Sequence, residues 1–126
     1  MCGLAGLFAF SRTKTVPAQD AQAMIDRLVH RGPDGDGVRT GPGYALGHRR
    51  LSIVDIKGGA QPMGTPDEKL WILYNGEVYN FAELRVELEM DGVVFKSKTD
   101  TEVLLYLFRK YGPGMLPKLN GMFAIA

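Results

Sequence analysis

Cys2 is the residue best suited to covalent chemistry, because it directly follows Met1. Aminopeptidases commonly remove a methionine that precedes a small residue, and its loss would leave a thiol and a free α-amine on one cysteine. The amine has an ordinary pKa of about 8, so it can take and return a proton near neutrality. The alternative is a small, buried and inert cysteine, which is the commoner role of a lone cysteine and stays open on position alone.

Asn75 and Gly76 offer hydrogen-bond donors for a developing oxyanion, namely the asparagine amide and the glycine N–H. They follow the apolar run at residues 70–74, so the sequence predicts a tight turn at the end of a buried strand. Asn-Gly is also a common turn dipeptide with no further role. The dipeptide by itself favours that simpler interpretation.

Arg50 and Asp100 are candidates for binding the charged groups of a substrate. A guanidinium can hold a carboxylate through two hydrogen bonds, and a carboxylate can hold an ammonium group. The alternatives are a solvated arginine beside Arg49 and an acid that the helix dipole favours in a first turn. Asp34 and Asp36 have no later acidic partner at EF-hand spacing, so no metal site is expected.

Apolar periodicity indicates the elements that must position these residues. Strands are predicted at residues 3–10, 70–74, 93–96 and 122–126, with one or two more in 44–56 interrupted by His48-Arg49-Arg50. Helices are predicted from Pro17 to about His30, from an Asn80–Glu83 capping box to Gly92, and from a Thr99–Glu102 capping box to Gly112-Pro113. Residues 31–43 and 57–67 are rich in glycine and proline and are predicted as loops. This order predicts an α+β fold with helices on largely antiparallel sheets.

Composition places the chain among ordinary globular proteins. Its 126 residues fit one domain, and 15 basic against 14 acidic residues give no reason to expect nucleic acid or an anionic membrane as partner. A single cysteine excludes an internal disulfide and fits a reducing cytosol. The last predicted strand has no later segment to pair with, so we expect an incomplete domain.

Several motifs, taken in order, resemble the N-terminal glutaminase domain of glutamine-hydrolysing asparagine synthetase, a class II amidotransferase of the N-terminal-nucleophile hydrolase group. They are Met1-Cys2-Gly3-Leu4-Ala5-Gly6, His30-Arg31-Gly32-Pro33-Asp34-Gly35, Gly47-His48-Arg49-Arg50-Leu51-Ser52-Ile53-Val54-Asp55, Gly59-Ala60-Gln61-Pro62 and Tyr74-Asn75-Gly76-Glu77-Val78-Tyr79-Asn80. Residues 97–102 and 119–124 extend the match over essentially the whole chain. The resemblance implies a four-layer α/β/β/α sandwich of two antiparallel sheets.

The resemblance also implies a role for each candidate residue. Cys2 maps to the nucleophile, and Asn75 and Gly76 map to the oxyanion hole. Glutamine would be held by a carboxylate site at Arg50, a pocket wall at Leu51, Ser52, Ile53 and Val54, and α-amino contacts at Glu77 and Asp100.

The implied activity is hydrolysis of the glutamine side-chain amide to glutamate and ammonia, in the cytoplasm, as the ammonia-supplying half of an asparagine synthetase. ATP and Mg²⁺ are expected only with the absent synthetase domain, so no cofactor is expected in this chain. The expected partners are glutamine and a synthetase domain in the same polypeptide, with a homodimer as a further option. The alternatives are an amidotransferase acting on a sugar or antibiotic precursor, and a non-catalytic glutamine-binding fragment.

Overall fold

The computed structural model describes residues 2–11, 13–52 and 58–126. The strands in chain order are β1 (Gly3–Phe8), β2 (Gly35–Gly41), β3 (Tyr44–Arg50), β4 (Met63–Gly64), β5 (Trp71–Ile72), β6 (Tyr74–Val78) and β7 (Gly121–Ile125). The helices are α1 (Ala18–Asp26), α2 (Phe81–Met90) and α3 (Asp100–Tyr111), and a 3-10 helix follows α3 at Gly112–Lys118. None of the helices in these ranges is long and apolar enough to cross a membrane.

The first sheet has the strand order β1-β3-β2, with β3 antiparallel to both neighbours. Helix α1 packs on one face of this sheet and buries Ala21 and Ile25 completely. Gly47 of β3 permits that close approach, since a Cβ there would lie 2.6 Å from Cγ2 of Ile25. Neighbouring side chains of a strand point to opposite faces, so His48 points away from α1 toward the second layer of strands.

The second layer contains the antiparallel pairs β6–β7 and β4–β5. Helix α3 packs against β4, β5 and β6, and α2 packs against α3. The core between them is made of buried side chains from all of these elements, namely Ile72, Tyr74, Val78, Leu84, Leu88, Val103, Leu104, Leu105, Leu107 and Met115. The layers therefore follow the order helix, sheet, sheet, helix, and the prediction of an α+β fold with antiparallel sheets is confirmed.

Two predictions about glycine-containing segments were wrong. Residues 31–43 were expected to be loop, but β2 lies within them and pairs along its whole length with β3. Asn75-Gly76 was expected to end a strand, but β6 continues through both residues and pairs with β7. Gly37 and Gly76 lie where backbone approaches closely, because a Cβ would come within 2.2 Å of the carbonyl oxygens of Gln61 and Met122 respectively.

Other element boundaries in the structure also differ from the predicted ones. Strand β1 ends at Phe8 and leaves Phe10 exposed, helix α1 ends at Asp26, and β3 runs without interruption through the basic triplet. The apolar run 70–74 is divided between β5 and the start of β6. Residues 93–96 form no strand.

The helix caps were predicted with partial success. Thr99 accepts a hydrogen bond from the Glu102 N–H, and Gly92 has the expected positive φ of 88°. The Glu102 carboxylate, however, accepts hydrogen bonds from the N–H groups of Lys96 and Ser97. These backbone groups are therefore bonded to a side chain and not to a neighbouring strand. Asn80 does not cap α2 with its side chain; it binds the backbone of Lys118 and Asn120 instead.

Gly47→Ala should lower the free energy of unfolding by about 1–3 kcal/mol, because the added methyl group overlaps Ile25 on a packed helix. Urea denaturation monitored by circular dichroism would measure the change. Gly114→Ala is the control, since a Cβ at Gly114 meets nothing within 4 Å. Equal stability of the two variants would contradict this account of how α1 packs on the sheet.

Candidate active site

An open cleft of about 580 Å³ lies between the two layers of strands. This volume falls within the range of roughly 300–1,000 Å³ that is usual for small-molecule sites. The cleft brings together most of the residues predicted from the sequence, namely Cys2, Arg50, Leu51, Asn75, Gly76, Glu77 and Asp100. The other described residues that line it are Gly59, Gln61, Tyr74, Val78, Tyr79, Phe81, Thr99, Thr101 and Met122.

The structure describes only part of the predicted pocket wall. Ser52 is not among the described lining residues, and its backbone N–H donates to Asp34 Oδ2 at 2.7 Å. Ile53 and Val54 lie outside the described residues. Of the predicted wall, the structure therefore places Leu51 at the cleft.

Cys2 is held at the cleft by the pairing of β1 with β3. Gly3 pairs with Arg49, so Cys2 lies beside the end of β3, where the Leu51 N–H donates to its Sγ at 3.4 Å. The side chain points away from α1, because a Cβ on the next residue, Gly3, would point at Leu28, in the segment that follows that helix. Arg31 fixes the backbone by donating from Nε to the Cys2 carbonyl at 3.0 Å.

Arg49 and Arg50 have different surroundings although they are adjacent in the sequence. Arg49 forms an ion pair with Asp36 across the β2–β3 pairing, at 3.3 Å between Nη1 and Oδ1. Arg50, on the opposite face of β3, lines the cleft that contains Cys2. The structure therefore places Arg50 at the candidate site, and its clustering with Arg49 does not make it a solvated surface residue.

Asn75 and Gly76 belong to a strand and not to a turn. Asn75 pairs with Ala124 and Gly76 pairs with Phe123, so β7 supports the backbone at both positions. Strands hold their side chains and N–H groups more accurately than mobile loops do, which suits donors that must meet a reacting atom.

Asp100 is the first residue of α3 and its carboxylate is anchored to β6. Its Oδ2 accepts hydrogen bonds from the Tyr74 hydroxyl at 2.6 Å and from the Val78 N–H at 3.2 Å. Within the described part of the chain, no donor reaches Oδ1. Among the described residues, Oδ2 is therefore the oxygen that the protein engages, and Oδ1 is without a donor in a residue that lines the cleft.

Tyr74 uses its backbone and its side chain as hydrogen-bonding groups, a role that the sequence did not reveal. Its N–H donates to Gln61 Oε1 at 2.6 Å, and its carbonyl lies 3.3 Å from Nε2 of His48. Burial, reinforced by the hydrogen bond to Asp100, raises the pKa of the Tyr74 hydroxyl above its ordinary value. The hydroxyl therefore stays protonated at neutral pH and acts as a donor.

His48 joins the two layers at this point. It is completely buried, and this burial, with a smaller contribution from the positive charge of Arg50, lowers the pKa of the imidazole to about 4. A neutral ring that carries its proton on Nε2 can donate to the Tyr74 carbonyl. The chain sequence gave no reason to single out His48 or Gln61, although both lie in motifs that carry the resemblance.

Comparisons with solved structures agree with the architecture. Glutamine phosphoribosylpyrophosphate amidotransferase from Bacillus subtilis, solved with ADP and GMP, matches 99% of this chain with a TM-score of 0.79 at 20% identity, over 34% of its own length. The allosteric regulatory enzyme of purine biosynthesis matches 97% of this chain with a TM-score of 0.59 at 22% identity, over 28% of its length. The chain therefore shares the fold of the matched parts of these two proteins.

Sequence comparisons define the family. A model described as a glutamine amidotransferase domain matches residues 1–126, so the chain belongs to that family. Glutamine-hydrolysing asparagine synthetase 1 of Bacillus subtilis is 44% identical over 98% of this chain and 20% of its own length. Asparagine synthetase B of Escherichia coli is 39% identical over 100% of this chain and 23% of its own length. The chain spans about a fifth of the length of these relatives.

The buried His48 should make stability depend on pH. Its pKa is lower in the folded state than in the unfolded chain, so the unfolded state binds a proton first and stability falls as pH decreases from 6.5 to 4. The contribution of this one group should be on the order of 3 kcal/mol by pH 4. Urea denaturation at several pH values would measure it.

His48→Gln should remove that part of the pH dependence, because glutamine does not titrate. His30→Gln is the matched control, since His30 is exposed and should leave the dependence in place. If wild type and His48→Gln lose stability in parallel below pH 6.5, the proposed state of His48 is wrong.

Proposed function

We propose that this domain hydrolyses the side-chain amide of glutamine to glutamate and ammonia, with Cys2 as the nucleophile. The observation that carries the proposal is the convergence, in one cleft, of a thiol, two oxyanion donors, a guanidinium and a carboxylate. These groups match the parts of glutamine: an amide carbon to attack, a carbonyl oxygen that becomes negative, an α-carboxylate and an α-ammonium group.

Substrate binding follows from the placement of the charged residues. Arg50 would hold the α-carboxylate, and Asp100, through its available Oδ1, would hold the α-ammonium group together with Glu77 at the rim. Leu51 would form part of the wall along the aliphatic chain. With the two charged ends fixed, the side-chain amide extends toward Cys2, and such positioning turns the attack into an effectively intramolecular step.

The reaction would begin with attack of the Cys2 thiolate on the amide carbon. The carbonyl oxygen becomes an oxyanion that receives hydrogen bonds from the Asn75 side-chain amide and the Gly76 N–H. The carbon–nitrogen bond then breaks, ammonia leaves with a proton delivered through the Cys2 α-amine, and a γ-glutamyl thioester remains. Water attacks the thioester to release glutamate and the thiol. The α-amine can act as base only after Met1 has been removed.

We further infer that the ammonia serves asparagine synthesis in the cytoplasm. The support for this acceptor is the 39–44% identity to asparagine synthetases. The acceptor chemistry would then belong to a synthetase domain in the same polypeptide, which would also hold ATP and Mg²⁺. The glutaminase step needs no cofactor, because Cys2 supplies both nucleophile and base.

Cys2 should be the residue that an electrophilic glutamine analogue labels. Protein processed to begin at Cys2 should gain one covalent adduct and release glutamate from glutamine, whereas Cys2→Ala should do neither. Intact-mass spectrometry with peptide mapping measures the adduct, and a coupled glutamate assay measures turnover. Glutamate release by Cys2→Ala at the wild-type rate would exclude this function.

Asn75→Ala and Arg50→Ala should affect different kinetic constants. Loss of an oxyanion donor should lower kcat by about 100- to 1,000-fold with a small change in KM. Loss of the guanidinium should mainly raise KM, because it binds the carboxylate equally in the ground state and the transition state. Steady-state glutamate release measures both constants. Arg109→Ala is the surface control and should stay within about twofold of wild type, since exposed ion pairs such as Arg109–Asp67 contribute little.

A further inference from the structure

Tyr74 occupies a position from which it can control the substrate-binding carboxylate. Its ring belongs to the core beneath the cleft and is 3% exposed. Its N–H and its carbonyl are both fixed, by Gln61 and His48 respectively. Because backbone and ring are held in this way, the position of the hydroxyl is fixed as well.

Among the described residues, both donors to Asp100 come from β6 and both reach the same oxygen. The Tyr74 hydroxyl and the Val78 N–H converge on Oδ2, which leaves Oδ1 as the oxygen without a donor among the residues that the structure describes. A carboxylate with one anchored oxygen cannot rotate freely about its side-chain bonds. The same strand carries Asn75 and Gly76, so the carboxylate is fixed relative to the oxyanion donors.

We propose that Tyr74 is a positioning residue that, through its hydroxyl, orients Asp100 so that Oδ1 receives the α-ammonium group of glutamine. This inference rests on the proposed glutaminase function and adds a determinant of amino-acid recognition to it. Tyr74 does not touch the reacting atoms. It acts on binding, because an orientation that is fixed before glutamine arrives removes an ordering cost from the association.

Tyr74→Phe tests the proposal, since it keeps the ring in the core and removes the hydroxyl. The KM for glutamine should rise about tenfold, as expected for the loss of a hydrogen bond to a charged group, while kcat stays within about twofold. Tyr111→Phe is the matched control. Tyr111 also donates to a carboxylate, that of Glu87 on α2, but this pair lies outside the cleft, so KM should not change.

A pair of ligands separates positioning from general damage to the site. L-Glutamate carries the α-ammonium group, and glutarate is the same molecule without it. Calorimetric titration should show that Tyr74→Phe weakens L-glutamate about tenfold and leaves glutarate within about twofold, since only the former contacts Asp100. Equal weakening of both ligands, or no weakening of L-glutamate, would overturn the role of Tyr74.

The outcomes for Tyr74 and for the proposed function are distinguishable. If wild type releases glutamate and Tyr74→Phe has an unchanged KM, the inference about Tyr74 fails and the glutaminase function stands. If wild type binds L-glutamate but releases none from glutamine, the function fails, and the two titrations still decide the role of Tyr74. If wild type binds neither L-glutamate nor glutamine, both proposals fail.

Discussion

The contact between His48 and the Tyr74 carbonyl fixes how the two layers of strands meet, and the candidate site depends on that alignment. The first sheet supplies Arg50 and positions Cys2, while β6 supplies Asn75 and Gly76. Neither layer by itself contains all of these residues. The contact lies in a completely buried environment, where a polar group without a partner is costly. A sliding of one sheet over the other would break it, so the packing that stabilises the fold also sets the distances in the cleft.

Close backbone approach is the second constraint, and glycine is what permits it. Helix α1 packs closely against Gly47, the carbonyl of Gln61 against Gly37, and strand β7 against Gly76. Each lies in a strand, where glycine is normally unfavourable because it loses conformational freedom and packs no side chain. The cost is offset by the contacts that a larger residue would prevent. At Gly76 the same absence of a side chain leaves the backbone accessible at the wall of the cleft.

These glycines also explain which parts of the fold could be predicted from the sequence. The helices were recognisable because apolar periodicity and capping residues are local signals, as the Thr99 cap of α3 shows. Strand β2 was not recognisable, because its glycines have the local pattern of a loop and only pairing with β3 makes them a strand. The same holds for Asn75-Gly76, whose partner β7 lies more than forty residues later in the chain. Local patterns carry no information about such partners.

The residues of the candidate site also fall into those that the sequence could predict and those that it could not. Cys2, Arg50 and Asp100 could be predicted because charge and nucleophilicity are properties of the residue type, and a family resemblance orders them. Tyr74 could not, since a tyrosine at the end of an apolar run has the pattern of a core residue, and its ring is indeed in the core. Its polar role arises from the packing of α3, which brings the Asp100 carboxylate to the hydroxyl. Because burial holds the hydroxyl in its protonated form, core packing itself provides the donor that orients a charged group at the surface of the cleft.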